Sequence, residues 1–156
     1  MLDTYDLKIL AVLQDAGDTG PQDMSALVNL SVSQCSRRMQ ALRKGGHIAS
    51  VRAILDADAV GVGLQAFVLV TMRSHEPHAA ESFRLRLLRL DEVLECQKLT
   101  GEADMILKVA THDLASFNAL LSNELLSAPE VATARSSIIL EDIKKTTSLP
   151  LRFAGQ

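Results

Sequence analysis

Ser-Val-Ser-Gln-Cys-Ser-Arg-Arg-Met-Gln-Ala-Leu-Arg-Lys-Gly-Gly-His, residues 31–47, is the stretch on which the reading of this chain rests. Ser31 can cap a helix, because its hydroxyl accepts one of the backbone N–H groups that a first turn leaves unpaired. Gly45 and Gly46 end that helix, since glycine enters the left-handed region without steric cost. Between them, helical spacing puts Val32, Cys35, Met39 and Leu42 on one side. Ser33, Arg37, Gln40 and Lys44 fall on the other side, flanked by Gln34 and Ser36. The segment is a short amphipathic helix with an apolar back and a cationic front.

Upstream, Asp3–Asp15 reads as a first helix with Leu7, Ile9, Leu10 and Leu13 as its apolar stripe. Asp3 and Asp6 favour its positive N-terminal end. Gly17–Pro21 breaks the chain, with Gly20 at a cap position and Pro21 at the first helical position, where a missing N–H is harmless. Met24, Leu27 and Val28 define a short second helix, and Asn29-Leu30 forms a tight turn into the third. Three short helices, the last two joined by a tight turn, make a helix-turn-helix. His47–Leu55, rich in Ile, Val and Ala, is expected as a strand that forms a wing and carries Arg52, and Asp56–Gly63 is expected as a hinge.

The front of the third helix suits the major groove of a DNA duplex, where Arg reads guanine and Gln reads adenine. Ser33, Gln34 and Arg37 are placed for base edges, and Ser36, Arg38, Gln40, Arg43, Lys44 and Arg52 for phosphates. Arg38, at the boundary of the apolar face, could instead brace the fold. The net charge of −3 argues against such a partner, but its distribution reverses the argument. From Met24 to Leu55 no acidic residue occurs, and Arg37, Arg38, Arg43, Lys44 and Arg52 do. A local basic patch on an acidic body supports phosphate binding and discourages indiscriminate adhesion.

The remainder has a different rhythm. Ala66–Met72, Val93–Thr100, Met105–Ala110 and Val131–Leu140 read as strands, with a turn at Gly101–Asp104. Pro77–Leu90 reads as a helix burying Phe83, Leu87 and Leu90. A second, capped by Asp113, turns Leu114, Phe117, Leu120 and Leu121 inward. The order βαββαβ is that of a ferredoxin-like sandwich. The fold class is therefore α+β: a winged helix-turn-helix over 1–52, a hinge over 53–63 and a sandwich domain over 64–156.

At 47% hydrophobic and 22% charged, the chain has the material for packed cores, and 3% aromatics makes those cores aliphatic. No apolar run approaches a bilayer span and no leader precedes Asp3, so a cytoplasmic protein without membrane contact is expected. Cys35 and Cys96 read as buried small hydrophobes. His47, His75, His78 and His112 make no metal-binding spacing, with His75 and His78 on a surface loop. No nucleophile elbow, zinc-protease motif or phosphate loop occurs, so no cofactor, metal or catalytic residue is expected.

Leu2-Asp3 with Asp6, Ile9-Leu10 and Leu13-Gln14, then Leu30-Ser31, Ser33, Arg37-Arg38 and Leu42, resemble the opening and recognition helices of the Lrp/AsnC family of feast/famine regulators. Gly46-His47-Ile48 stands where that family has Gly-Val-Ile. Leu99-Thr100-Gly101 with Asp104 is similar to its Thr-Gly-x-x-Asp hairpin, and Lys108 follows in an apolar strand. Val131, Ile138-Ile139-Leu140 and Lys144 resemble its closing strand. The resemblance implies a RAM-type (AsnC-type) second domain and a sequence-specific transcription regulator. It further implies a homodimer, assembled into a tetramer or octamer, with an amino-acid effector between subunits. Thr100, Gly101, Glu102 and Asp104 would border that site, with Ser122, Thr133 or Ser136 of a neighbour opposite. The chain departs from the family at Asp18, Gly20, Asn29 and Ala103. Some relatives of this architecture resemble siroheme decarboxylases, but they carry a Phe-Pro segment where this chain reads Asp18-Thr19-Gly20-Pro21. An effector-binding module that no longer binds DNA is the other alternative.

Overall fold

The structure, a computed structural model, describes residues 2–74 and 76–154; His75, expected with His78 on a surface loop, lies outside them. The chain divides into two compact units. The first runs to Ile54 and is rejoined by the residues from Lys144 onward; the second is Leu55–Ile143.

The first unit holds α1 (Thr4–Asp15), α2 (Pro21–Val28) and α3 (Val32–Lys44). Each start has a local cause. Asp3 Oδ1 accepts from the N–H groups of Tyr5 and Asp6 at 2.8 and 2.9 Å, and the Asp6 carboxylate accepts from Asp3 N–H at 3.1 Å. This is a reciprocal capping box. Gly20 precedes Pro21 at the first position of α2, which ends on Asn29 in the left-handed region at φ 57°. Two residues later Ser31 caps α3, so the tight turn between α2 and α3 is set by Asn29.

Ile9, Leu10, Met24, Val28, Cys35, Met39 and Leu42 are buried together as the first core, and Leu30, Ile48 and Leu151 pack against it. Leu151 comes from the far end of the chain. Its neighbour Leu149 donates its N–H to Gln14 Oε1 at 2.6 Å and accepts from Gln14 Nε2 at 3.2 Å, which holds residues 149–151 on α1.

Three expectations fail in this unit. Val32 and Leu27 are 40% and 63% exposed, because the buried stripes of their helices run through Cys35–Met39–Leu42 and Met24–Val28 instead. His47–Leu55 forms no strand, and within the described residues Ile48–Leu55 makes no backbone–backbone hydrogen bond. Its residues favour extended chain, but a ladder also needs a second strand, and this unit supplies none.

The second unit alternates β1 (Leu64–Met72), α4 (Pro77–Leu87), β2 (Val93–Lys98), β3 (Met105–Thr111), α5 (Leu114–Leu120) and β4 (Val131–Ile138). The strands pair antiparallel in the order β2-β3-β1-β4. Ala66, Val68, Val70 and Met72 face one side of the sheet and bury against Phe83 and Leu87 of α4 and Phe117 and Leu120 of α5. Among the described residues neither α4 nor α5 covers the other side, where Phe67 and Leu69 stand half exposed.

α4 ends at Leu87 rather than Leu90, β2 at Lys98 and β4 at Ile138, each short of its expected end. Leu114 is 61% exposed, not inward, because the Asp113 cap makes it the first helical residue and turns it off the sheet. Ordinary helical phase would next bring Glu124 inward. Instead a wide π-helical turn spans Leu121–Leu125, closed by Leu126 N–H to Leu121 O at 2.8 Å. The extra residue turns Leu125 into the core and leaves Glu124 half exposed.

Asn29 gives a direct test of the turn. Asn29→Gly is expected to leave the urea midpoint unchanged or raised, because glycine adopts φ 57° freely. Asn29→Val is expected to cost about 1–2 kcal/mol, the strain of a left-handed residue with a branched Cβ.

Candidate functional site

Burial of Cys35, Met39 and Leu42 fixes the rotation of α3 about its axis. At 100° per residue, Ser33, Arg37, Gln40 and Lys44 then lie opposite the core. All four are exposed, as are Gln34 and Arg43, and Ser36 is half buried beside them. The last turn carries Arg43 and Lys44, where cations complement the negative helix end. Arg52, also exposed, lies beyond Gly46 on a segment with no helix or strand. Among the described residues Arg37, Arg43, Lys44 and Arg52 make no ion pair.

Two residues of the expected set have other duties. The Gln34 carbonyl closes the capping box, accepting from Ser31 N–H at 3.1 Å while Ser31 Oγ accepts from Gln34 N–H at 3.3 Å. Gln34 is nonetheless exposed. Arg38 is turned to α1: Nη1 donates to Asp6 Oδ1 at 2.7 Å and Asp3 Oδ2 at 2.8 Å. The guanidinium also stands 5.6 Å from the centre of the Tyr5 ring. Those bonds, Asp6's first and Asp3's next, push the Arg38 pKa up. Asp3 is held below the usual carboxylate range, chiefly by the N–H of Asp6 and then by Arg38. Arg38 braces the helices, and its charge is answered before any phosphate approaches.

In the second unit the expected effector residues divide. The β2–β3 turn carries Thr100, Gly101 and Glu102 exposed, with Gly101 at φ 132°, a conformation other residues rarely adopt. Asp104 fastens this turn to the sheet. Its N–H donates to Val70 O at 2.9 Å, its carbonyl accepts from Leu99 at 2.8 Å, and its carboxylate accepts from Met72 N–H at 2.7 Å. Thr133 pairs with Thr71 at the same end of the sheet, on the uncovered face. With β1 between β3 and β4, two strand spacings of about 4.8 Å separate the β3 and β4 backbones. Ser136 pairs with Val68 and so lies on the opposite face from Thr133, farther along the strand. Ser122 is exposed on the π-helical turn after α5.

The sequence did not disclose a groove of about 880 Å³ between α4 and the edge strand β2. Arg84, Leu88, Leu94 and Lys98 line it, and it reaches Met105 and Asp104 at the hairpin. The signal was there in Leu88 and Leu94, apolar residues outside the buried stripes and 69% and 55% exposed. Glu81 and Arg84 on its wall are paired at 2.6 Å, which lowers the Glu81 pKa and raises that of Arg84. Cys96, expected buried, is exposed on β2 and also lines the groove, while Cys35 is in the first core. Partial burial pushes the Cys96 thiol pKa up, away from reactive thiolate. Among the described residues no three His, Cys, Asp or Glu side chains converge on a metal position, and no helix is long and apolar enough to cross a membrane.

Comparison with known proteins matches residues 2–48 to a winged helix-turn-helix DNA-binding model and residues 65–149 to the Lrp/AsnC ligand-binding domain. The leucine-responsive regulatory protein of Haemophilus influenzae is 34% identical over 151 residues, spanning 97% of this chain and 91% of that protein. The DNA-binding transcriptional activator DecR of Escherichia coli is 32% identical, spanning 97% and 99%. A transcriptional regulator of Neisseria meningitidis, solved in complex with L-Met, superposes with a TM-score of 0.94 at 40% identity over 97% of both chains. An AsnC-family regulator from Agrobacterium tumefaciens gives a TM-score of 0.91 at 30% identity, covering 98% and 99%. These relatives are regulators by name, so the siroheme decarboxylase alternative is not favoured.

The α1 cap gives an acid-stability prediction. A carboxylate whose folded pKa is depressed stabilises the fold fully above its unfolded value of about 3.9, and the contribution is lost as pH falls through the lower folded value. Urea melts should therefore show wild-type stability falling below about pH 4 more steeply than that of Asp3→Asn, which keeps a capping oxygen but does not titrate. Equal slopes in the two proteins would refute a depressed Asp3.

Proposed function

The chain belongs to the Lrp/AsnC family of DNA-binding transcriptional regulators, and we propose that it reads duplex DNA with the Ser33–Arg37–Gln40–Lys44 ridge of α3. Ser33, Gln34 and Arg37 meet base edges in the major groove. Ser36, Gln40, Arg43, Lys44 and Arg52 hold the phosphates. The observation that carries this reading is the burial of Cys35, Met39 and Leu42, which turns the ridge outward from an acid-free stretch of chain. Arg38 leaves the list of phosphate contacts because Asp3 and Asp6 already hold it.

The protein works as a homodimer or an assembly of dimers, because the uncovered sheet face asks for a partner of the same shape. Phe67 and Leu69, 40% and 37% exposed, stand at its centre beside Ile106 of β3, with Thr133, Arg135 and Ser137 of β4 toward one edge. A two-fold pair presents two recognition helices to one duplex, which makes half-site spacing a property of the dimer. The effector is a small amino acid, a reading supported by the ligand-binding-domain match and by the L-Met complex of the Neisseria relative. We place it at the end of the sheet carrying Thr100, Gly101 and Glu102, with Asp104 anchoring the turn and Ser122 or Thr133 of a neighbour completing the wall; Ser136, on the helix-covered face, drops out. The protein acts in the cytoplasm as a regulator and not as an enzyme.

A duplex selected from a random library by the full-length protein supplies the probe. Arg37→Ala is expected to weaken binding to it by about 1–3 kcal/mol, roughly 5–150-fold, and to relax one base position. Lys44→Ala is expected to weaken binding to all duplexes alike and to reduce the log–log salt slope by about 0.9. Affinity indifferent to salt would overturn the reading. Separately, Phe67→Arg with Leu69→Arg is expected to lower the mass measured by light scattering to that of the monomer.

A further inference from the structure

We propose that Arg38 is a positioning residue for DNA recognition: its guanidinium ties the middle of α3 to the first turn of α1 and so sets the angle at which the ridge meets the duplex. The inference rests on the DNA-binding reading above and adds a residue that touches no nucleotide.

Burial of Cys35, Met39 and Leu42 sets which side of α3 looks outward, but apolar attraction is non-directional and does not by itself tie the middle of α3 to a fixed point on α1. Charge-assisted hydrogen bonds are directional, and here they come as a set. Both hydrogens of Arg38 Nη1 are used, one on Asp6 Oδ1 and one on Asp3 Oδ2. The remaining oxygens of the two carboxylates are themselves engaged: Asp3 Oδ1 accepts from Tyr5 and Asp6 N–H, and Asp6 Oδ2 accepts from Asp3 N–H. The anchor is therefore built into the α1 cap and cannot swing without breaking it. Tyr5 lies against the guanidinium at 5.6 Å and limits its movement on the remaining side. Arg38 also follows Arg37 directly, so a change in roll at Arg38 carries the adjacent ridge residue with it.

The charges make the idea testable against the obvious alternative. Asp3 and Asp6 answer the Arg38 charge, and with Lys8 against the same Tyr5 ring the corner offers phosphate no net positive charge. If Arg38 were a phosphate contact, removing an acidic neighbour would free it and tighten binding. If it is a clamp, removing either end of the tie weakens binding.

The experiment uses full-length protein and the selected duplex, with a scrambled duplex alongside, at several salt concentrations. Arg38→Met, which keeps much of the stem, is expected to lose about tenfold in affinity for the selected duplex with the salt slope unchanged. Asp6→Asn is expected to lose affinity as well, despite raising the net charge, and the double variant to be no weaker than the poorer single one. The ratio of selected to scrambled affinity should fall in all three; a merely less stable protein would lose active fraction against both duplexes alike. Circular dichroism at the assay temperature confirms that each variant is folded. Should Arg38→Met fail to fold, Asp6→Asn with Arg38→Lys reads the same tie, and Arg38→Lys should recover part of the selected-duplex affinity.

A salt slope reduced by about 0.9 in Arg38→Met, or tighter binding by Asp6→Asn, would overturn the clamp and return Arg38 to the phosphate contacts while leaving the DNA-binding reading intact. A library that yields no enriched duplex would overturn both.

Discussion

The direction in which α3 presents its side chains depends on three buried residues, Cys35, Met39 and Leu42, and most of what the first unit can do follows from that burial. A helix of 13 residues is marginal by itself and takes its stability from packing one face. With those three residues committed to the core, the position of every other residue on α3 is set by geometry. The ridge of Ser33, Arg37, Gln40 and Lys44 is the far side of the same helix, so core and proposed recognition surface are specified together. A unit this small buries a limited fraction of its surface. The return of Leu149 and Leu151 to α1 adds apolar contact and two hydrogen bonds where they are most needed.

The second unit uses a complementary asymmetry. Both of its helices cover one side of the sheet, and the alternation along β1 drives Ala66, Val68, Val70 and Met72 into that layer while Phe67 and Leu69 are left outside. An antiparallel sheet tolerates one wet face when that face is polar. Here the centre of the strand is apolar on both sides, which is the pattern of a sheet that packs twice. The proposed dimer is thus a consequence of the sequence of one central strand. It also supplies what a single recognition helix lacks, since a few base contacts on one half-site give little discrimination.

What the sequence disclosed and what it withheld separate along the range of the interactions involved. Asp3, Ser31 with Gln34, Pro21 and Asn29 act on their immediate neighbours, and the starts and the tight turn they specify are legible from the chain alone. The strand expected at His47–Leu55 depends on a partner that no local pattern can guarantee, and among the described residues Ile48–Leu55 makes no ladder. Leu114, expected inward, is the first helical residue after the Asp113 cap and stands outside, and a helix read at constant phase does not anticipate the extra residue at Leu121–Leu125 that brings Leu125 into the core. The effector residues were the least legible. Asp104 spends its groups on Val70, Leu99 and Met72, contacts distant in sequence that make it a fastener of the hairpin. Ser136 was assigned without the strand register, which places it on the opposite face from Thr133.

Charge shows how the two scales combine. Five cations occupy a stretch without acidic residues, and read as composition they form one patch. Asp3 and Asp6, more than thirty residues earlier in the chain, divide it. They take Arg38 for the structure and leave Arg37, Arg43, Lys44 and Arg52 for solvent or a polyanion. Because the remaining body of the chain carries an acidic excess, it adds little attraction for nucleic acid to that of the proposed recognition surface. A uniformly basic protein would gain non-specific affinity at the same rate as specific affinity, and the genome's excess of wrong sites would then hold it. Taking Arg38 out of the patch leaves its unpaired cations, Arg37, Arg43, Lys44 and Arg52, on the outward and flanking positions of α3 and on the segment after it, so the tie between α1 and α3 narrows the positive surface to residues that can reach the duplex with the ridge.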